Sequence, residues 1–199
     1  MIRPRILHII IAAYQRAVPL RIMIDCILIQ SCPQWQIHII HDGPAPKEVK
    51  DVIDSYDDAR IQYYETPTVN GAWGHPNRKI ALKQLSLNHR DYVLITNDDN
   101  YYVPDFIRIF MNECRNEFVG FVYCNTVHSY EKYNLFISEV KENHIDMGSF
   151  IVKLDVARRV GFNHIHLSAD GRYAEDCANY CRRRRLRIVH IPKPLFVHN

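Results

Sequence analysis

Tyr92-Val-Leu-Ile-Thr-Asn-Asp-Asp-Asn-Tyr-Tyr-Val-Pro104 is the stretch on which the reading of the fold turns. Its first residues are apolar and β-branched, as a strand covered on both faces should be. The strand, Tyr92–Thr96, runs without a break into Asn97-Asp98-Asp99-Asn100. Pro104 then opens a helix to about Asn116. Adjacent carboxylates repel and raise each other's pKa unless a cation neutralises them. Hard oxygen ligands suit Mg²⁺ or Mn²⁺, which bind through one or two carboxylates plus substrate phosphates. A solvated turn with Asp caps is the other reading of an isolated pair.

The same alternation extends on both sides. Ile6–Ala12 is a continuous apolar strand, and Pro19 opens a helix carrying Leu20, Ile24, Ile27 and Leu28. Gln36–His41 is a second strand, closed by Asp42-Gly43-Pro44. Pro46 starts a helix with Val49, Val52, Ile53 and Tyr56 at helical spacing. Ile61–Tyr64 is a third strand, Thr66–Pro76 a loop, Asn77–Asn88 a helix and Val119–Cys124 a further strand. The order predicts an α/β fold with a mostly parallel central sheet and helices on both faces. In such sheets ligands bind at the carboxyl ends of the strands. Three of those ends run into polar loops, after Ala13, after His41 and after Thr96. No G-x-G-x-x-G follows the first strand and no G-x-x-x-x-G-K-[ST] occurs. A nicotinamide dehydrogenase and a P-loop NTPase are thereby disfavoured.

Composition limits the remaining classes. The chain has 199 residues, 47% hydrophobic and 24% charged, with a net charge of +3. That fits one domain with a sizeable core and argues against a nucleic-acid partner. The Arg-flanked N-terminal apolar stretch is too short and too β-branched for a signal peptide. Six Cys lie scattered with no CxxC pair. Reduced structural thiols in a cytoplasmic protein are expected. The basic run Arg182–Arg185 reads as a solvated helix face, or as peripheral contact with an anionic lipid or a phosphate-bearing acceptor.

The segment around Asp98-Asp99 resembles the metal-binding DxD element of the GT-A glycosyltransferases, and family 2 most of all. Ile9-Ile-Ile-Ala-Ala-Tyr-Gln-Arg16 is similar to that family's opening strand and turn. Ile29-Gln-Ser-Cys-Pro-Gln-Trp-Gln36 and Ile39-Ile-His-Asp-Gly43 resemble its next two elements. The resemblance is specific over about residues 6–110. It implies a single GT-A domain over 1–199, with a nucleotide-sugar half (1–103) and an acceptor half (104–199).

The resemblance also implies roles. Ala12, Ala13, Tyr14 and Arg16 would line the nucleotide pocket, with Asp42 bonding the base. Arg78 would face the diphosphate, Asp98 the ribose or a metal water, and Asp99 would ligate Mn²⁺ or Mg²⁺. In Asp146-Met-Gly-Ser-Phe-Ile-Val152, read as a strand, Gly148 would approach a ligand. Glu175-Asp176, read as a helix start, resembles the family's ED motif, which makes Asp176 the general base, with Asp170 as runner-up. His198 would reach the metal, and Trp73 would stack on a sugar or anchor a loop. Three elements depart from the pattern: His41 stands for Asp, Asn97 and Asn100 for carboxylates, and Ala12-Ala13 for Pro-Thr.

The expected activity is metal-dependent, inverting transfer of a UDP- or dTDP-linked sugar to a hydroxyl of a glycan or other acceptor, in polysaccharide or glycan synthesis. The alternative is a non-catalytic nucleotide-sugar or glycan-binding module. The chain reads either as a compact stand-alone enzyme or as one module of a longer protein.

Overall fold

The computed structural model describes residues 3–199. Strand β1 (Leu7–Ala13) leads into helix α1 (Ala17–Leu28), β2 (Trp35–His41), α2 (Lys47–Asp54) and β3 (Ile61–Glu65). Helix α3 (His75–Gln84) precedes β4 (Tyr92–Asn97), the short β5 (Tyr101–Tyr102) and α4 (Phe106–Glu113). The second half holds β6 (Val119–His128), β7 (Asn134–Phe136), β8 (Phe150–Lys153), α5 (Leu154–Val160), α6 (Ala169–Arg183) and β9 (Arg187–His198).

These strands form one sheet in the order β3-β2-β1-β4-β8-β6-β9-β5, with β7 on β6. The first four run parallel, as the sequence pattern predicts. Beyond them the pattern breaks. β8 lies antiparallel between β4 and β6, so the strand after α4 does not adjoin β4. Asp146–Val152 is not a strand throughout: Met147–Ser149 is a 3₁₀ turn and the strand begins at Phe150. Gly148 packs against the chain itself, since a Cβ there would stand 2.5 Å from the Phe196 ring and 2.7 Å from Tyr102 Oη. Its expected approach to a ligand is therefore corrected.

The alternation of β1 fixes the core. Leu7, Ile9, Ile11 and Ala13 face one apolar cluster with α1, α2 and α4. Ile10 faces the other, shared with α3, α5 and α6. Cys177 and Cys181, four apart on α6, are both buried in that second cluster. Helix α3 ends at Gln84, short of the expected Asn88. Leu85 leaves the helical region (ψ 134°), and Asn88 Oδ1 accepts from Arg90 N at 3.1 Å in a turn of its own. No described helix is long and apolar enough to cross a membrane.

Two buried histidines make the fold acid-sensitive. Burial, then neighbouring His8, pulls the His38 pKa down to about 4. Burial and then Arg78 pull His75 down to about 4 as well. Unfolded, both take up protons near pH 6.5. The unfolded chain thus binds more protons in between. This contribution to stability is whole above about pH 6.5 and is lost as pH falls toward 4. Thermal melts across that window should show a falling Tm, and His38→Gln should flatten the fall.

Candidate active site

The carboxyl ends of β1, β2 and β4 border a cavity of ≈ 780 Å³. Ala12, Ala13, Tyr14, Arg16, Asp42, Trp73 and Asp99 all line it. The sequence-derived donor residues therefore converge here, with Asp98 packed just beneath. Small side chains at the end of β1 are required by packing: a Cβ on Gly74 would already stand 3.1 Å from Ala12 Cβ.

Asp98 is fully buried and accepts from Tyr14 N at 3.1 Å. Burial raises its pKa to about 6, against the opposing pull of Arg16. Arg16 lies across both carboxylates and pairs with Asp98 and Asp99 together. One oxygen of Asp99, Oδ1, is buried and has no hydrogen-bond partner among the described residues. An orphaned carboxylate oxygen beside a cavity is what a cation would satisfy.

His41, where the family pattern has Asp, ties two loops together. Its Nδ1 lies 2.7 Å from Gly43 O, an acceptor only, so that nitrogen carries the proton. Nε2 is then free to accept from Gln15 N at 3.1 Å. The Tyr14 ring stacks near it, with centroids 6.1 Å apart. His41 thereby fixes the backbone that carries Tyr14 and Arg16.

Asp42 lines the cavity but also anchors its far wall. Its carboxylate accepts from Asn70 N at 2.8 Å, Gly71 N at 3.0 Å and Asn77 Nδ2 at 3.0 Å. The held loop bends sharply, with positive φ at Gly71, Ala72, Trp73 and Gly74. It presents Trp73, 63% exposed, at the cavity rim.

Arg78 does not reach the cavity surface. It is only 3% exposed and turns back beneath the site, where it donates to Asn97 Oδ1 and, at 2.9 Å, to Trp73 O. The expected direct diphosphate contact is corrected on this ground. Burial lowers its pKa to about 10, with Asp170 and Asp98 opposing, so it acts as a buried counter-charge. The departures at Asn97 and Asn100 also find reasons. Asn97 takes the Arg78 bond, and Asn100 is buried against Thr96 Oγ1 at 3.0 Å.

A second cavity of ≈ 480 Å³ opens in the second half of the chain, lined by His128, Tyr130, Asp146, Leu167 and Asp170 among others. β6 and β9 end in register at His128 and His198. Asp146 sits between them and accepts from His128 Nε2 at 2.9 Å and His198 Nδ1 at 3.0 Å. These three offer ligand atoms within 4.8 Å of one another. Burial alone would raise the Asp146 pKa, yet the two histidines hold it below the usual value. His198 is the converse: burial lowers its pKa, but Asp146, Asp99 and Asp170 outweigh that and raise it. The sequence reading missed His128 and Asp146. The available signal was a β-branched run continuing past Cys124 to a terminal His, matched by Leu195-Phe-Val-His198.

The structure places the two candidate general bases differently from the sequence expectation. Helix α6 begins at Ala169, so Glu175 and Asp176 lie in its middle rather than at its start. Asp176 pairs with His164 at 2.7 Å and is absent from both cavities. Asp170, in the first turn, lines the second cavity instead. Burial, then Asp146, raises its pKa, against a bond from Gly171 N.

The sequence model of glycosyl transferase family 2 matches residues 8–166. The chain belongs to glycosyl transferase family 2. No curated protein matches its sequence as a relative. Among solved structures, Staphylococcus aureus TarS 1–349 aligns with a TM-score of 0.76 at 12% identity, over 98% of this chain and 60% of that one. The same TarS segment has been solved in complex with UDP-GlcNAc (TM-score 0.77, 11% identity, 97% and 58% covered). The mannosyltransferase PcManGT of Pyrobaculum calidifontis, in complex with GDP-Man and Mn²⁺, gives 0.75 at 16%, over 99% and 57%. At these identities the likeness is one of fold, the GT-A fold. This family 2 chain spans well under two thirds of the neighbours' length.

Proposed function

We propose that this family 2 chain is a divalent-metal-dependent, inverting glycosyltransferase for polysaccharide or glycan synthesis. It takes a UDP- or dTDP-linked sugar and passes it to an acceptor hydroxyl. The observation that carries this reading is Asp99. Asp99, two residues beyond β4, lines the first cavity, and its Oδ1 is buried without a hydrogen-bond partner. The fold neighbours, solved with UDP-GlcNAc and with GDP-Man and Mn²⁺, support the donor class.

Asp99 and His198 fit the implied cation. The Nδ1 of His198 is engaged by Asp146, which leaves Nε2 for a ligand. Bound there, Mn²⁺ or Mg²⁺ supplies positive charge to the leaving diphosphate. The chain's own groups do the rest. Tyr14 and Trp73 border the space for the base and sugar. Arg16 stands at the cavity edge as a fixed cation for phosphate oxygens. Asp170 takes the proton from the acceptor hydroxyl as it attacks the anomeric carbon. Its raised pKa moves it toward a working base at neutral pH.

Asp146 and His128 orient His198, as second ligands commonly orient a metal-binding imidazole. Asp146→Asn should weaken Mn²⁺ binding about 10- to 100-fold, measured by electron paramagnetic resonance on the UDP complex. The function itself is tested by supplying UDP-, dTDP- and GDP-sugars with Mn²⁺ and following release of the nucleoside diphosphate. Release with UDP- or dTDP-sugars, and loss with chelator, is expected. Nucleotide binding without turnover of any donor would instead favour a binding module.

A further inference from the structure

The amino ends of the central strands gather arginines. Arg3 and Arg5 lead into β1, Arg90 stands just before β4, Arg108 lies in the first turn of α4 and Arg115 in the turn after that helix. All five line one cavity of ≈ 460 Å³, with Pro4, Pro33 and Met111 among its other walls and no carboxylate among its lining residues. That volume suits a small ligand. Seven-residue strands at about 3.3 Å per residue put it about 20 Å from the donor cavity. The two share no lining residue.

Neighbouring acids neutralise only part of this charge. Arg108 pairs with Asp105 at 2.8 Å, but Arg3 and Arg5 reach Asp91 and Glu117 only at 3.4 and 3.7 Å. Among the described residues, Arg90 and Arg115 have no carboxylate partner, and Arg90 Nε is buried with no acceptor. The walls are held by the arginines themselves. Arg5 donates to Arg115 O at 3.3 Å, and Arg90 donates to Arg3 O at 3.2 Å. Like charges held around a concavity raise the local potential and draw counter-ions. The guanidinium fork matches phosphate oxygens bidentately. Several forks around one cavity suit adjoining phosphates better than a single carboxylate.

We propose that this cavity is a second anion site that takes a cluster of adjoining phosphates, from either a soluble polyphosphate or a phosphorylated lipid headgroup. It is independent of the donor reading. Inorganic tripolyphosphate is titrated calorimetrically into the full chain at low salt with EDTA present. A parallel arm sediments the chain with vesicles containing phosphatidylinositol 4,5-bisphosphate, whose headgroup carries adjacent phosphates. In at least one arm, binding should weaken as salt rises and fall at least tenfold in R90A/R115A, with UDP–Mn²⁺ affinity unchanged. Response to tripolyphosphate assigns the soluble source, and response to vesicles alone assigns the headgroup. R108A/R115A, altered at two exposed positions, should repeat the loss with an unchanged melting temperature. The proposal is overturned if neither probe binds, if binding ignores both double variants, or if UDP displaces the tripolyphosphate.

Discussion

Asp170→Asn is expected to lower kcat by about 10²- to 10⁴-fold, the range for loss of a positioned general base. UDP affinity should stay unchanged, because Asp170 lies on the second cavity and not the first. The substitution is nearly isosteric, and the amide oxygen can still accept from Gly171 N. The fold should therefore hold, and the loss should fall on chemistry. Asp176→Asn is the control, since it removes only a half-exposed pair with His164. Its kcat should stay within a few-fold of wild type. Steady-state kinetics on the two variants decide between the carboxylates. A loss in Asp176→Asn with none in Asp170→Asn would restore the motif-based assignment.

Asp99→Asn should cost at least about 100-fold in Mn²⁺ affinity, of the order expected when a charged metal ligand becomes neutral. In the proposed site Asp99 and His198 hold the cation, and of these two only Asp99 supplies negative charge. Electron paramagnetic resonance of Mn²⁺ with UDP measures the loss directly. Turnover should fall with it, and raised Mn²⁺ should restore part of the rate. If Asp99→Asn binds Mn²⁺ normally, the cation sits elsewhere, and the His128–Asp146–His198 cluster becomes the place to look.

Much of this site was legible before any coordinates. Ile6–Ala12 and Tyr92–Thr96 are apolar almost throughout, and Gln36–His41 carries Ile37, Ile39 and Ile40, so local pattern and buried position agree. Their polar ends then mark the donor edge, because parallel strands end together. The acceptor half obeys no such rule. β8 reverses direction between β4 and β6, and β9 lies beside β6, both by long-range pairing that leaves no local period. Glu175-Asp176 looked like a helix start because the acidic pair masked the earlier Ser168-Ala-Asp170 entry. Arg78 misled for a different reason. The family resemblance placed it at the diphosphate, but only packing shows the guanidinium turned inward under Asn97.

Arg16 bears directly on the metal binding proposed for this family 2 chain. By lying across Asp98 and Asp99 it gives the resting site a resident counter-ion. Cation uptake is then an exchange rather than an addition. The measured constant is a difference between two cations competing for the same oxygens. Chelation should leave the protein assembled, because a charged partner is always at hand to take the vacated place. The displaced guanidinium remains at the border of the space that receives a diphosphate. Nucleotide and metal should therefore each bind more tightly in the other's presence.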